Sequence, residues 1–198
     1  MFARSAGRIV SRAAMFGTLL VLGGCNSEPK WRGTAVLPVR DLPIFSFTDS
    51  SSHSITTAPS KGSVSLLFFG YTNCPDVCGT TLADWARVKR ALGDHAKHVR
   101  FLFVTIDPAR DTPAVTQRFV SQFDSTFKGL SGDSATTGHM QRAFGVASQP
   151  IAASSGSAHL LAHSSQTYLV DDRGRLLVMY AYGAGWDTMA ADIKQLLN

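Results

Sequence analysis

Two largely apolar runs dominate the chain. Residues 64–69 read Val-Ser-Leu-Leu-Phe-Phe, and residues 99–106 carry a second β-prone stretch. Runs of this length without polar alternation are the pattern of strands covered on both faces. Between them, Leu82, Trp85, Ala86, Val88 and Leu92 recur at helical spacing behind Pro75, which suits a first helical turn. Gly93 supplies a stop. After the second run, Asp107-Pro108 breaks the strand, and Thr112-Pro113 opens a helix carrying Val115, Phe119, Val120 and Phe123.

The flanks fill in the rest. Residues 44–48 and 53–57 predict a hairpin around a turn at 49–52. Residues 124–134 read as loop and 135–144 as a short helix. The Ser-, Ala- and Gly-rich stretch 147–165 reads as a long exposed loop, of the kind that often carries function. Strands at 167–170 and 176–182 flank the turn Asp171-Asp172-Arg173-Gly174, and an amphipathic helix closes the chain at 186–197. The order β-α-β-α, then hairpin, then α predicts an α/β fold: a mixed sheet with helices on both faces and an N-terminal β-hairpin extension. Phe45, Phe47, Phe68, Phe69, Phe101 and Phe103 are expected in its core, whereas Tyr71 borders the chemistry described below and is expected to face a partner.

The N-terminus changes the picture of where this fold works. Arg4, Arg8 and Arg12 form a basic segment without an acid, followed by a short apolar stretch at 13–22. That stretch is too short for a comfortable bilayer span and reads as a signal peptide over residues 1–24. Leu22-Gly23-Gly24-Cys25 resembles a bacterial lipobox, which makes Cys25 the lipidation candidate; the alternative is an uncleaved anchor with an incidental cysteine. Residues 25–40, broken by Pro29, Gly33 and Pro38, read as a tether, leaving 41–198 as the domain. The expected location is the periplasmic side of a bacterial membrane. Removal of the segment takes three arginines and no acids, so the formal charge of +5 falls to +2. No dense basic stripe remains, and nothing in the pattern points to nucleic acid.

With Cys25 assigned to lipid, Cys74 and Cys78 remain as a pair. They sit where a buried strand passes into a helix, and unpaired helix N–H groups there favour thiolate over thiol. Residues i and i+4 are neighbours on one helical face, so both sulfurs are expected to reach one metal. Two soft thiolates select Cu(I) or zinc. A third ligand is sought among His53, His95, His98, His139, His159 and His163. His159 and His163 lie at the end of the long loop, and His163, nearest the following strand, is the better placed. A structural disulfide is the alternative for the cysteine pair, but so small a loop would add little stability.

The stretch from Phe68 to Cys78, with Thr80-Thr81-Leu82 behind it, resembles the signature of the Sco (SenC) family. Ile106-Asp107-Pro108-Ala109-Arg110-Asp111-Thr112-Pro113 is similar to that family's second motif, and His163-Ser164-Ser165 leading into Tyr168-Leu169-Val170-Asp171 to its third. The resemblance spans residues 41–197. It implies a thioredoxin-like fold, and copper, as Cu(I) or Cu(II), held by Cys74, Cys78 and His163. It implies assembly of the copper A centre of cytochrome c oxidase, as metallochaperone, thiol reductant or both. Subunit II of that oxidase or another copper protein is then the partner, with the membrane reached through the lipid. Asp107 matches an acid near the site and, with Tyr71, is a candidate for the shell behind the ligands; as plain structure it is a strand-ending Asp-Pro turn. Gly79 stands where the family usually has proline, and Ala162 where it usually has aspartate. Readings from other classes are a thiol–disulfide oxidoreductase, a peroxide-reducing thioredoxin relative and a redox sensor.

Overall fold

The computed structural model describes residues 30–198 except 50, 52 and 152–159. The expected signal segment, Cys25 and His159 therefore lie outside the described residues. In chain order the strands are β1 (Thr34–Asp41), β2 (Ser46–Thr48), β3 (Ser54–Thr56), β4 (Val64–Gly70), β5 (Val99–Thr105), β6 (Lys128–Leu130), β7 (Ser148–Pro150), β8 (Leu161–His163), β9 (Thr167–Val170) and β10 (Arg175–Tyr180). The helices are α1 (Val77–Leu92), α2 (Pro113–Ser121), α3 (Ser134–Phe144) and α4 (Trp186–Leu197), with a 3-10 segment at Gly93–His98.

The two apolar runs become β4 and β5, paired in parallel from Val64↔Val99 to Gly70↔Thr105 at the centre of a six-stranded sheet. The sheet order is β1-β10-β9-β4-β5-β6, with β4, β9, β10 and β1 antiparallel in succession and β6 parallel to β5. Pleating sends Leu66, Phe68, Phe101 and Phe103 to one face, under Leu82, Trp85 and Val88 of α1 and Met189 and Ile193 of α4. Leu67, Phe69, Leu102 and Val104 go to the other, under Met140 and Phe144 of α3 and Phe45 and Phe47 of the β2–β3 hairpin. The expected mixed sheet, its helical layers and the N-terminal hairpin are all present, and the expected core phenylalanines are buried.

Three expectations need correction. Part of the expected tether is β1, an edge strand on β10 in which Val36 alone is buried. Its pairing comes from backbone hydrogen bonds, so no hydrophobic period announces it. Pro38 falls in the register shift between Ala35 and Arg40, where a missing N–H does no harm. Second, the loop expected at 124–134 contains β6, three residues long. Gly129 lets it pass α2: a Cβ there would lie 2.6 Å from the Thr116 carbonyl carbon. Third, the long loop expected at 147–165 contains β7 and β8, paired from Ser148↔His163 to Pro150↔Leu161. These strands form a two-stranded sheet of their own and carry His163.

Candidate metal centre

β4 ends at Gly70, and the chain turns through Tyr71–Asp76 before α1 begins. Cys74 sits in that turn, its N–H donating to the Tyr71 carbonyl at 3.2 Å, and Cys78 is the second residue of α1. The cysteines therefore do not share a helical face as the spacing suggested, because Asp76, not Cys74, takes the N-cap position. The turn folds Cys74 back over the first helical turn instead. The Cys74 and Cys78 sulfurs and a ring nitrogen of His163 all lie within 4.8 Å of one another. Both cysteines are free thiols. Among the described histidines, His163 alone joins them.

His163 is aimed by its surroundings. Its Nδ1 lies 2.9 Å from the Ser164 carbonyl, which only accepts, so Nδ1 carries the proton. In the neutral ring Nε2 then keeps its lone pair, 3.8 Å from Cys78 Sγ. Fixing one ring nitrogen in this way orients the other for a metal. Tyr71 and Phe68 meet the imidazole edge-on, with ring centroids 5.9 and 6.0 Å away. Tyr71 is buried, not partner-facing as expected from sequence. Its hydroxyl accepts the Leu161 N–H at 3.2 Å, which ties β8 to the cysteine turn, and burial pushes its pKa up.

The two thiols are unequal. Hydrogen bonding from the Cys78 thiol, and then from the backbone N–H groups of Asp76 and Cys78, lowers the Cys74 pKa to about 4 against the opposing pull of burial. The helix N-terminus thus serves the sulfur in front of it. Cys78 is fully buried; its bond to Cys74 and its burial push its pKa up. Gly70 makes room for it. A Cβ at Gly70 would lie 2.6 Å from Cys78 Sγ and 2.9 Å from both Phe68 and Phe103.

The acid that braces the site is Asp111. The Asp107 carboxylate pairs with Arg110. Asp111 is 0% exposed and accepts from the Thr72 N–H at 2.8 Å, the Thr72 hydroxyl at 2.5 Å and the Thr105 hydroxyl at 2.7 Å. A buried carboxylate persists only with such donors. Here they lock the cysteine turn to the end of β5. Sequence reasoning passed over Asp111 inside its own motif. The only available signal was a hydroxyl residue near the end of each apolar run.

A parallel β4–β5 pair joined through α1, an antiparallel β9–β10 arm and a dithiol at the strand-to-helix turn define a thioredoxin-like domain, here with an added imidazole. The chain belongs to the SCO1/SenC family, whose pattern matches residues 40–198. The SCO2-like protein of Rickettsia felis is 33% identical over 134 residues, covering 67% of this chain and 65% of that protein, so the match spans just under two thirds of the relative. The structure of Bradyrhizobium japonicum ScoI with copper bound is 34% identical with a TM-score of 0.71, covering 79% of this chain and 99% of that one. The solution structure of apo Sco1 from Thermus thermophilus is 31% identical with a TM-score of 0.74, covering 84% and 97%.

Proposed function

We propose that this chain binds one copper ion through Cys74 Sγ, Cys78 Sγ and His163 Nε2 and supplies copper during assembly of the copper A centre of cytochrome c oxidase. The observation that carries the reading is the approach of all three ligand atoms to within 4.8 Å, with the imidazole held in the tautomer that leaves Nε2 bare. Two thiolates and one imidazole suit Cu(I), and a three-ligand site leaves the ion open to capture by an incoming ligand. The copper-bound ScoI relative and the family membership support the choice of metal. Titration of the reduced chain with Cu(I) tests it. One equivalent binds tightly to the wild type, and Cys74→Ser, Cys78→Ser and His163→Ala each abolish tight binding. Unchanged stoichiometry in His163→Ala removes the histidine from the site.

A second role has its own support, namely the inequality of the two thiols. A half-exposed, low-pKa Cys74 in front of a buried Cys78 suits attack on a partner disulfide followed by resolution. In that role the chain reduces the two cysteines of its copper-accepting client. Metal-free chain then reduces a client disulfide stoichiometrically. A chain that leaves the disulfide intact lacks the role. No helix among the described residues is long and apolar enough to cross a membrane. Lipid on Cys25 is the anchor in this reading, residues 1–24 are the signal, and the domain works on the periplasmic face of a bacterial membrane.

A further inference from the structure

The chain enters its fold at the same end of the sheet that carries the candidate metal centre. Across the strands, Thr34 lies opposite Met179, the next residue Tyr180 lies opposite Thr167, and Thr167 lies opposite Phe68. β1 therefore starts on the rim where β4 ends and the cysteine turn begins. Three strand spacings of about 4.8 Å, or ~14 Å, separate β1 from β4 along that rim. The entry point is pinned. Asp192 of α4 is buried and accepts the N–H groups of Arg32 and Gly33 at 2.9 and 3.0 Å, while Trp31 packs against the core.

The same rim carries the exposed aromatics of the α4 end. Tyr182 is 46% exposed and Trp186 38%, and Ile151 beside the cysteine turn is 48%. Ser165 connects them: it lines the groove at Cys74 and also the cavity beneath Tyr182. Exposed Lys30 and Arg32 flank the entry point. Cys25 precedes Lys30 by five residue steps, which span at most about 18 Å even fully extended.

From this placement we infer that Tyr182 and Trp186 rest on the lipid surface, so that the rim bearing Cys74 and His163 faces the membrane. The inference rests on the lipid-anchor reading of Cys25. A lipid anchored five residues from a pinned entry point cannot hold the opposite rim against the bilayer. Tyr and Trp are the side chains that settle at the headgroup level, and Lys30 and Arg32 complement anionic headgroups. Asp76 and Asp187, exposed on the same rim, keep the contact shallow. The consequence is functional. Copper is presented at the membrane plane, where a client already inserted in that membrane meets it.

The full chain, processed in a bacterial host and reconstituted in phosphatidylethanolamine–phosphatidylglycerol vesicles, tests the orientation. Some vesicles carry acyl chains brominated near the headgroup, and tryptophan emission is read on the floated fraction. Trp85 is in the core and stays unquenched. The difference between wild type and Trp186→Phe isolates Trp186, whose emission is lost to brominated lipid. The mass of the mature chain shows in parallel whether Cys25 carries lipid. Lipidated chain with unquenched Trp186 overturns the orientation alone and leaves the aromatic patch to a protein partner. Unlipidated chain overturns the anchor reading and the orientation with it.

Discussion

Cys74 and Cys78 are chemically alike and four residues apart, yet the fold gives them opposite characters. Cys74 receives hydrogen bonds from the Cys78 thiol and from two helix N–H groups, and its thiolate persists down to about pH 4. The sign is plain: between that value and the usual thiol pKa, an ordinary cysteine is protonated and Cys74 is not. Alkylation of the reduced, metal-free chain is therefore expected to be nearly flat from pH 5 to 8 and confined to Cys74. A rate that climbs steeply through pH 8, or modification of Cys78 in the folded chain, contradicts the assignment. Asp111 makes the second residue-scale prediction. Asp111→Asn keeps the shape but removes the negative charge that the Thr72 N–H and the two Thr hydroxyls donate to, and puts an amide N–H₂ in place of one acceptor oxygen. A loss of about 1–3 kcal/mol of stability follows, with weaker copper binding. Chemical denaturation checks the first, and unchanged stability means that the Thr72 and Thr105 bonds carry little. The cysteine pair was legible from residue type and context; spacing narrowed the histidine only to His159 or His163, and the resemblance to the family's third motif singled out His163. Asp107 and Asp111 were not separable, because both are acids in one motif and only the fold shows which is buried.

At the scale of elements, legibility followed the hydrophobic signal. β4, β5, α1, α2 and the β9–β10 arm announced themselves through apolar runs, caps and turn residues. β1, β6 and the β7–β8 hairpin did not, since they are short or exposed and are held by backbone pairing and local contacts. That gap touches the site directly, for β8 delivers His163 and is fastened through the Tyr71 hydroxyl. Gly70 shows how tightly the elements meet. Helix α1 approaches the end of β4 so closely that Cys78 Sγ occupies the space a side chain would need. Gly70→Ala is expected to destabilise the fold by about 1–3 kcal/mol, the usual penalty for overpacking a core. It also pushes Cys78 away from His163 and weakens Cu(I) binding, whereas Gly79→Ala, with its nearest foreign atom 3.8 Å away, does neither. Thermal denaturation and copper titration of both variants separate a local clash from a general sensitivity of the cysteine turn.

On the scale of the whole molecule, the sheet joins the cysteine turn at the end of β4 to the edge strand β1, where the described chain enters the fold. The Asp192 carboxylate on α4 is the joint, taking the Tyr180 hydroxyl at 3.1 Å as well as the Arg32 and Gly33 N–H groups. Gly33 permits the approach, since a Cβ there would lie 2.5 Å from Tyr180 and Val178. Asp192→Ala leaves these donors without their acceptor, and the buried Tyr180 hydroxyl cannot turn to water. A loss of about 1–3 kcal/mol is expected. The loss is directional, because the clamp holds the entering segment and not the cysteine turn, which lies three strands away in sheet order. Limited trypsin digestion should therefore cut after Lys30 and Arg32 faster in Asp192→Ala than in wild type, while one equivalent of Cu(I) still binds. Equal cutting of the two chains shows that the segment is held by Trp31 and β1 without the carboxylate. Loss of copper binding in the variant shows that the edge and the site are coupled through the sheet and do not act separately.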